Sequence, residues 1–327
     1  MTLFHDISRQ PVRTDRDSPV SCPHDGDFYA SLKIVITVSK RLSQPRDGWY
    51  ATEAKMLVTD GNLLMRIATW NVNSIRQRLD HLLTWLTDCG PDIVCLQETK
   101  CLDEAFPREP IEAIGYNVVT HGQKTFNGVA LLSKLPFEET RPRLAGDDED
   151  IHARFLEGVV TLKQGVLRVA CLYLPNGNPP ETEKYTYKLK WMSRLLEYSK
   201  QQLKAEEPLV LAGDFNVIPA AQDVHNPAAW VNDALFRPTT RESFQSLLGL
   251  GLTDALRAAT DAPGQYTFWD YQAGAWQKNQ GLRIDHLLLS PQASDRLIDV
   301  GVDSYVRGWE KPSDHVPVWA DFDLKVA

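Results

Sequence analysis

The stretch YNVVTHGQKTFNGVALLSKLPFEETRPRLAGDDEDIHARFLEGVVTLKQGVLRVACLY, Tyr116 to Tyr173, decides the fold. It carries apolar runs of strand length one after another: Tyr116–Thr120, Val129–Ser133, Phe155–Leu162 and Leu167–Tyr173. Strand following strand is the pattern of packed sheets rather than of βαβ crossovers. Working outward, further strands are expected at Arg66–Trp70, Ile93–Gln97, Leu209–Gly213, Asp285–Ser290 and Val316–Phe322. Helical spacing occurs in Arg76–Cys89, through Leu79, Leu82, Leu83 and Leu86, and in Glu183–Lys204, through Trp191, Leu195 and Tyr198. Two helices are too few for a doubly wound sheet, so the expectation is an α+β chain of two packed, mostly antiparallel sheets with helices outside.

Polar clusters close several of these runs: Thr69-Trp70-Asn71-Val72-Asn73, Leu96-Gln97-Glu98-Thr99-Lys100, Ala212-Gly213-Asp214-Phe215-Asn216 and Ser313-Asp314-His315-Val316-Pro317. A buried strand fixes the backbone while the loop after it leaves side chains free, so the clusters are expected to converge on one site. They supply carboxylates, carboxamides and an imidazole but no cysteine, a ligand set suited to Mg²⁺ or Mn²⁺ rather than zinc. A hydrolase that cleaves phosphate esters follows.

The 327 residues, 43% hydrophobic and 24% charged, can bury a large core. No apolar run approaches the roughly 20 residues that cross a bilayer, and no signal peptide opens the chain, so the cytoplasm is the expected compartment, with no membrane partner. Cys22, Cys89, Cys95, Cys101 and Cys171 form no C-x-x-C pair and are expected to be reduced. The net charge of -8 argues against a nucleic-acid partner, although a bound divalent cation and local Lys and Arg can create a positive footprint on an acidic protein. Residues 1–64 carry scattered Pro, Asp, Arg and Ser, with one strand-like run, Lys33–Val38. They are expected to be a disordered extension or a mis-assigned start; acidic residues such as Asp6 and Asp15 oppose a transit peptide.

Within the clusters, Asp214 can take a proton from water while Asn216 holds that water or a phosphate oxygen; an Asx-turn is the plainer reading of the pair. Glu98 closes an almost wholly apolar strand, where either a hard cation or Lys100 would relieve its charge. Asp314 and His315 sit in a late loop, and Asp285 heads another apolar strand. One carboxylate orienting an imidazole toward a phosphate oxygen needs two elements in this way. His286, directly before Leu287-Leu288-Leu289, competes for that role but fits better as a packed strand residue.

Taken in order, Trp70-Asn71-Val72-Asn73-Ser74-Ile75-Arg76, Leu96–Lys100, Gly213–Asn216, Gly281-Leu282-Arg283-Ile284-Asp285 and Ser313–His315 resemble the exonuclease III family, and through it the apurinic/apyrimidinic endonucleases of the endonuclease/exonuclease/phosphatase superfamily. The resemblance runs from about residue 65 to 325. It implies a DNase I-like, four-layer αββα sandwich over residues 65–327 and a Mg²⁺ ion, with Mn²⁺ as a substitute, at Asn71 and Glu98, with Asp314 close by. Asp214 would activate water and Asn216 position it, both near the metal. His315, oriented by Asp285, would contact the scissile phosphate, Tyr173 would match the family's active-site tyrosine, and Asn176 would reach the phosphate or leaving group. Whether Asp214 or His315 takes the first proton, and whether one or two ions act, stays open.

The aromatic run Tyr266, Phe268, Trp269, Tyr271 and Trp276 is interleaved with Lys278, Asn279 and Arg283. In the resembled family it borders the pocket for a flipped-out abasic sugar; a core-facing strand and loop is the alternative. Trp269, Asn279 and Arg283 are expected to touch DNA, and Arg76, with Arg78 and Lys124, to meet backbone phosphates. The combined expectation is a monomeric Mg²⁺-dependent nuclease on duplex DNA, cutting 5′ of abasic sites and trimming 3′ ends to leave 3′-hydroxyls. A superfamily phosphatase or phosphodiesterase on small or lipid phosphates is the rival enzyme, and a catalytically silent binding module the rival of another class.

Overall fold

The structure, a computed structural model, describes residues 64–325. Leu64 apart, the expectations for residues 1–64, including the run Lys33–Val38, fall outside the described residues. One sheet is built from β1 (Met65–Asn71), β2 (Ile93–Gln97), β3 (Asn117–His121) and β4 (Val129–Ser133) with two late strands. The other combines β5 (Glu139–Pro142), β6 (Phe155–Thr161), β7 (Val166–Tyr173), β8 (Leu209–Asp214), β9 (Thr253–Asp254) and β10 (Asp285–Leu289). The late strands, β11 (Leu297–Val302) and β12 (Val318–Phe322), complete the first sheet in the order β11-β12-β1-β2-β4-β3. The second runs β5-β6-β7-β8-β10-β9. Each sheet has one parallel pair, β1 with β2 and β7 with β8, and is otherwise antiparallel.

Side-chain alternation explains both the layers and the site. Ile67, Cys95, Leu131, Val169, Cys171, Val210, Ala212, Leu287 and Leu289 meet between the sheets. The residues between them in sequence point outward. Ala68, Trp70, Val94 and Leu96 pack under Leu82, Trp85 and Leu86 of α1 (Leu79–Cys89). Beyond a short α2 (Arg108–Glu112), the second sheet is covered by α3 (Glu183–Leu203), whose Trp191, Met192 and Leu195 pack on Leu172, Leu209 and Leu211. The result is a four-layer αββα sandwich.

Three further differences from the sequence expectation have physical causes. Edge strand β5 is exposed throughout, β11 is mostly half-buried and interrupted by Asp299 and Gly301, and β9 has two residues, so none leaves an unbroken apolar run. Helices α4 (Pro227–Trp230), α5 (Pro238–Leu248), α6 (Ala255–Ala259) and α7 (Pro291–Ser294) were unforeseen, mostly because they are short; α5 buries only Thr240, Phe244 and Leu247. The last strand starts at Val318 rather than Val316, because the Val316 N–H turns to Thr267 O and Pro317 has none to give.

Candidate active site

Continuing the inward-facing series by one step, from Cys171 to Tyr173, from Ala212 to Asp214 and from Leu287 back to Asp285, places Tyr173, Asp214 and Asp285 in a row across β7, β8 and β10. In the other sheet the same alternation brings Asn71 to the end of β1, paired with Gln97, and Glu98 follows. The apolar core thus ends in a polar seam at one rim. Asn71 Nδ2 donates to Glu98 Oε1 at 2.9 Å and to Asp214 Oδ2 at 3.1 Å, and the Tyr173 hydroxyl donates to Glu98 Oε1 at 2.9 Å. Glu98 has φ 53°, a costly left-handed conformation held by Ser74 N–H on its carbonyl and by Thr99 and Lys100 N–H on Gly128 and Asn127 carbonyls.

His315 Nδ1 lies 2.9 Å from Asp285 Oδ2, which also accepts from Thr267 Oγ1 at 2.6 Å. Its Nε2 faces Asp214 Oδ2 at 3.7 Å, and the Phe268 ring packs edge-on at 4.9 Å. Burial works to lower the pKa of His315, but the charges of Asp285, Asp214 and Asp314 outweigh it and lift the imidazole well above its ordinary value. Burial raises the Asp214 carboxyl; the charge of His315 opposes this and that of Asp285 reinforces it. Glu98 is held low despite burial, by Lys100 at 2.7 Å and by Asn71.

Asn216, with φ 48°, points into the loops beside this cluster: Asn176 Nδ2 donates to its Oδ1 at 3.0 Å and its Nδ2 donates to Leu174 O at 3.0 Å. Lys188 Nζ donates to Asn216 O and Asn176 O. Burial draws the Lys188 pKa down to about 7 against the attraction of Asp214 and Asp233. Asp314 joins the cluster through Asn73 Nδ2 at 3.0 Å.

The structure therefore brings together Asn71, Glu98, Tyr173, Asp214, Asp285 and His315, with Asn216 one hydrogen bond further out and Asp314, through Asn73, and Asn176, through Asn216, two. Several expectations are corrected. Asn71 turns its nitrogen, not its oxygen, to the carboxylates, because its Oδ1 accepts the Asn73 N–H. It orients the carboxylates in this way, and its Oδ1 keeps a second lone pair free for a bound cation. Asn216 Oδ1 accepts from Asn176 Nδ2 and also keeps a second lone pair. Arg283, 1% exposed, is locked between Asp223 and Asp254, which rules out DNA contact. Trp269, 2% exposed, packs with Trp276 and donates to Asn279 Oδ1, so it supports the surface loop from below. Arg78 is buried on Asn73 O and Pro312 O. Asn279, Arg76 and Lys124 are exposed. His286 is a core residue bonded to Val217 O, its pKa pushed down to about 4 by burial and Arg283. Lys100 pairs with Glu98, as one of the two sequence readings had it; Asn73, Thr267 and Lys188 were not singled out, and Lys188 had a signal, a lysine in helical register with Trp191 and Leu195.

A cation fits the donor set. Glu98, Asp214 and His315 offer ligand atoms within 4.8 Å of one another, Asp285 and Asp314 add charge that His315 and Lys100 do not balance, and Asp285 Oδ1 is buried without a partner. Oxygen-rich surroundings of this kind suit a hard divalent ion, with Glu98 and Asp214 as the nearest carboxylates. A groove of about 540 Å³ opens beside them, lined by Lys100, Arg154, Asn176 and Lys184 among others. A second depression, at Pro219 and Arg241, contains none of the site residues.

A profile of the Endonuclease/Exonuclease/phosphatase family matches residues 68–315. The chain is 35% identical to the Exodeoxyribonuclease III of Haemophilus influenzae over 266 residues, 79% of this chain and 100% of that protein. It is 32% identical to the DNA repair nuclease APEX1 of Danio rerio over 271 residues, 81% of this chain and 84% of the relative. Among solved structures, the 3'-5' exonuclease (NExo) from Neisseria meningitidis superposes with a TM-score of 0.75 at 39% identity, covering 79% of this chain and 100% of the other. An AP endonuclease from Archaeoglobus fulgidus gives 0.74 at 38% identity, covering 79% and 99%.

Proposed function

We propose, because the chain belongs to the endonuclease/exonuclease/phosphatase family, that it is a DNA repair nuclease that hydrolyses phosphodiesters of duplex DNA with the help of Mg²⁺, or Mn²⁺ in its place. The observation that carries this reading is the pairing, at one rim of the sandwich, of the Glu98–Asn71–Asp214 cluster with the Asp285–His315 couple. Cleavage at phosphorus needs an oriented nucleophile and neutralisation of charge that grows on the phosphoryl oxygens.

When bound at Glu98 and Asp214, with Asp314 near, the ion would supply Lewis-acid neutralisation of that charge. Asp214 takes the proton of the attacking water, its affinity for a proton raised by burial. Asn71 keeps the two carboxylates apart and aimed. His315, kept protonated by Asp285, donates from Nε2 to a phosphoryl oxygen, and Asn176 and Asn216 present carboxamide N–H groups to the phosphate or the departing oxygen. Tyr173 fixes Glu98.

The preference for abasic sites is supported by an apolar cluster of Leu282, Ile284, Val224 and Leu235, with Trp230 and Phe268 packed against it; Phe268 rests on His315. The partly exposed rings of Phe268 and Trp230, backed by this apolar cluster, would contact a flipped-out sugar that carries no base. No described helix is long and apolar enough to cross a membrane.

The test is a comparison of a labelled duplex with one abasic analogue, an undamaged blunt duplex and a small phosphomonoester. Incision 5′ of the lesion with shortening of 3′ ends is expected. Phosphate release from the small substrate without DNA cleavage would move the chain to the phosphatase branch.

A further inference from the structure

Lys188 is fully buried on the inward face of α3, beside Trp191 and Met192. Burying an ammonium costs on the order of several kcal/mol without a close counter-ion. Among the described residues no carboxylate lies within 4.0 Å of its Nζ. Instead Nζ donates to two backbone carbonyls, Asn216 O at 2.6 Å and Asn176 O at 3.1 Å. They belong to the loops that leave β8 and β7, and the side chains of the same two residues are hydrogen-bonded to each other at 3.0 Å. Gly177, at φ +87°, carries the chain directly over the lysine stem: a Cβ there would stand 2.6 Å from Lys188 Cδ. Asn176 and Gly177 also line the groove, where water could serve carbonyls that lacked a protein donor.

We infer that Lys188 is a positioning residue, its ammonium bridging the two loop carbonyls so that Asn176 and Asn216 hold one spacing and one aim toward the phosphate. The inference rests on the proposed nuclease reading of those carboxamides. An apolar chain of similar length would fill the same volume without the desolvation cost, which is why the placement of a charge there points to the site rather than to the core.

The test is single-turnover cleavage of an abasic duplex by Lys188→Met, with DNA affinity measured in EDTA. The rate constant is expected to fall about 10²-fold, the loss that follows from misplacing groups by an ångström, while the DNA dissociation constant moves less than about threefold. Lys188→Ala should regain rate with n-propylammonium and not with n-propanol. An undiminished rate in Lys188→Met, or loss of rate and affinity together in proportion to lost folded protein, would overturn the inference. If wild-type protein cuts no DNA, the nuclease reading fails separately. The side-chain amide NMR signals of Asn176 and Asn216 then decide: displaced in Lys188→Met they uphold the positioning role, and unmoved they refute it.

Discussion

Asn71 Nδ2, at the end of β1 in one sheet, donates to Asp214 Oδ2, at the end of β8 in the other, at 3.1 Å. This bond, with its branch to Glu98, ties the two sheets together where their apolar interface stops. Asn71→Ala should therefore leave like charges facing one another unmediated. The expected outcome is a cleavage rate lowered about 10- to 100-fold and a higher Mg²⁺ requirement, measured by metal titration of single-turnover rates. Wild-type metal dependence would show that the amide does not orient the carboxylates.

Asp214→Asn keeps shape but removes the acceptor for the proton of water. The rate should fall about 10³-fold or more while the melting temperature stays level or rises, since a buried carboxyl under strain from burial has been neutralised. A folded variant retaining near wild-type rate would transfer the base to His315.

Tyr173→Phe loses one hydrogen bond, from the hydroxyl to Glu98 Oε1 at 2.9 Å, and keeps the ring under Arg154. A loss of about tenfold in rate with unchanged DNA affinity is expected. A drop comparable to that of Asp214→Asn would mean that the hydroxyl itself meets the phosphate.

Arg283 and Arg76 should separate cleanly. Arg283→Met breaks a buried network and should cost about 3–5 kcal/mol in denaturant unfolding, with the salt dependence of DNA binding unchanged in the folded fraction. Arg76→Ala, on an exposed loop, should leave stability alone and reduce the slope of log affinity against log salt by about one. The opposite pattern in either variant would contradict the placement.

The same network sets an acid limit. Burial would raise the Asp223 carboxyl, but hydrogen bonds and charge from Arg283 and Arg257 outweigh it and hold it below the ordinary carboxylate value. A depressed folded pKa contributes stability that is complete above the unfolded pKa of about 3.9 and is lost as pH falls through the folded value. Asp223→Asn should be less stable at neutral pH and show a shallower decline below about pH 4. An identical acid limb in both proteins would remove Asp223 from the account.

The legible parts of the sequence were those whose residue type already implied their surroundings. Strands β2, β4 and β8 are buried on both faces and so read as unbroken apolar runs, whereas β5 is exposed throughout and left no pattern. Glu98, Asp214, Asp285 and His315 stood out because a titratable group closing or opening an apolar run is costly unless used. Arg283 and Trp269 misled because an arginine or tryptophan near a site reads the same whether it faces DNA or the core. The partners that bury Arg283, Asp223 and Asp254, are 60 and 29 positions away, and nothing local announces them. The direction of the Asn71 amide was equally invisible, since it depends on which atom the Asn73 N–H reaches in the folded chain.

The most direct test of the central claim is cleavage of a duplex bearing one abasic analogue by wild type and by Glu98→Gln, titrated with Mg²⁺ and repeated in EDTA. Incision 5′ of the lesion leaving a 3′-hydroxyl, abolished by EDTA and demanding far more Mg²⁺ in Glu98→Gln, is the predicted result. Cleavage that survives EDTA, or that is unchanged in Glu98→Gln, would contradict the assignment of a metal-assisted nuclease to this cluster.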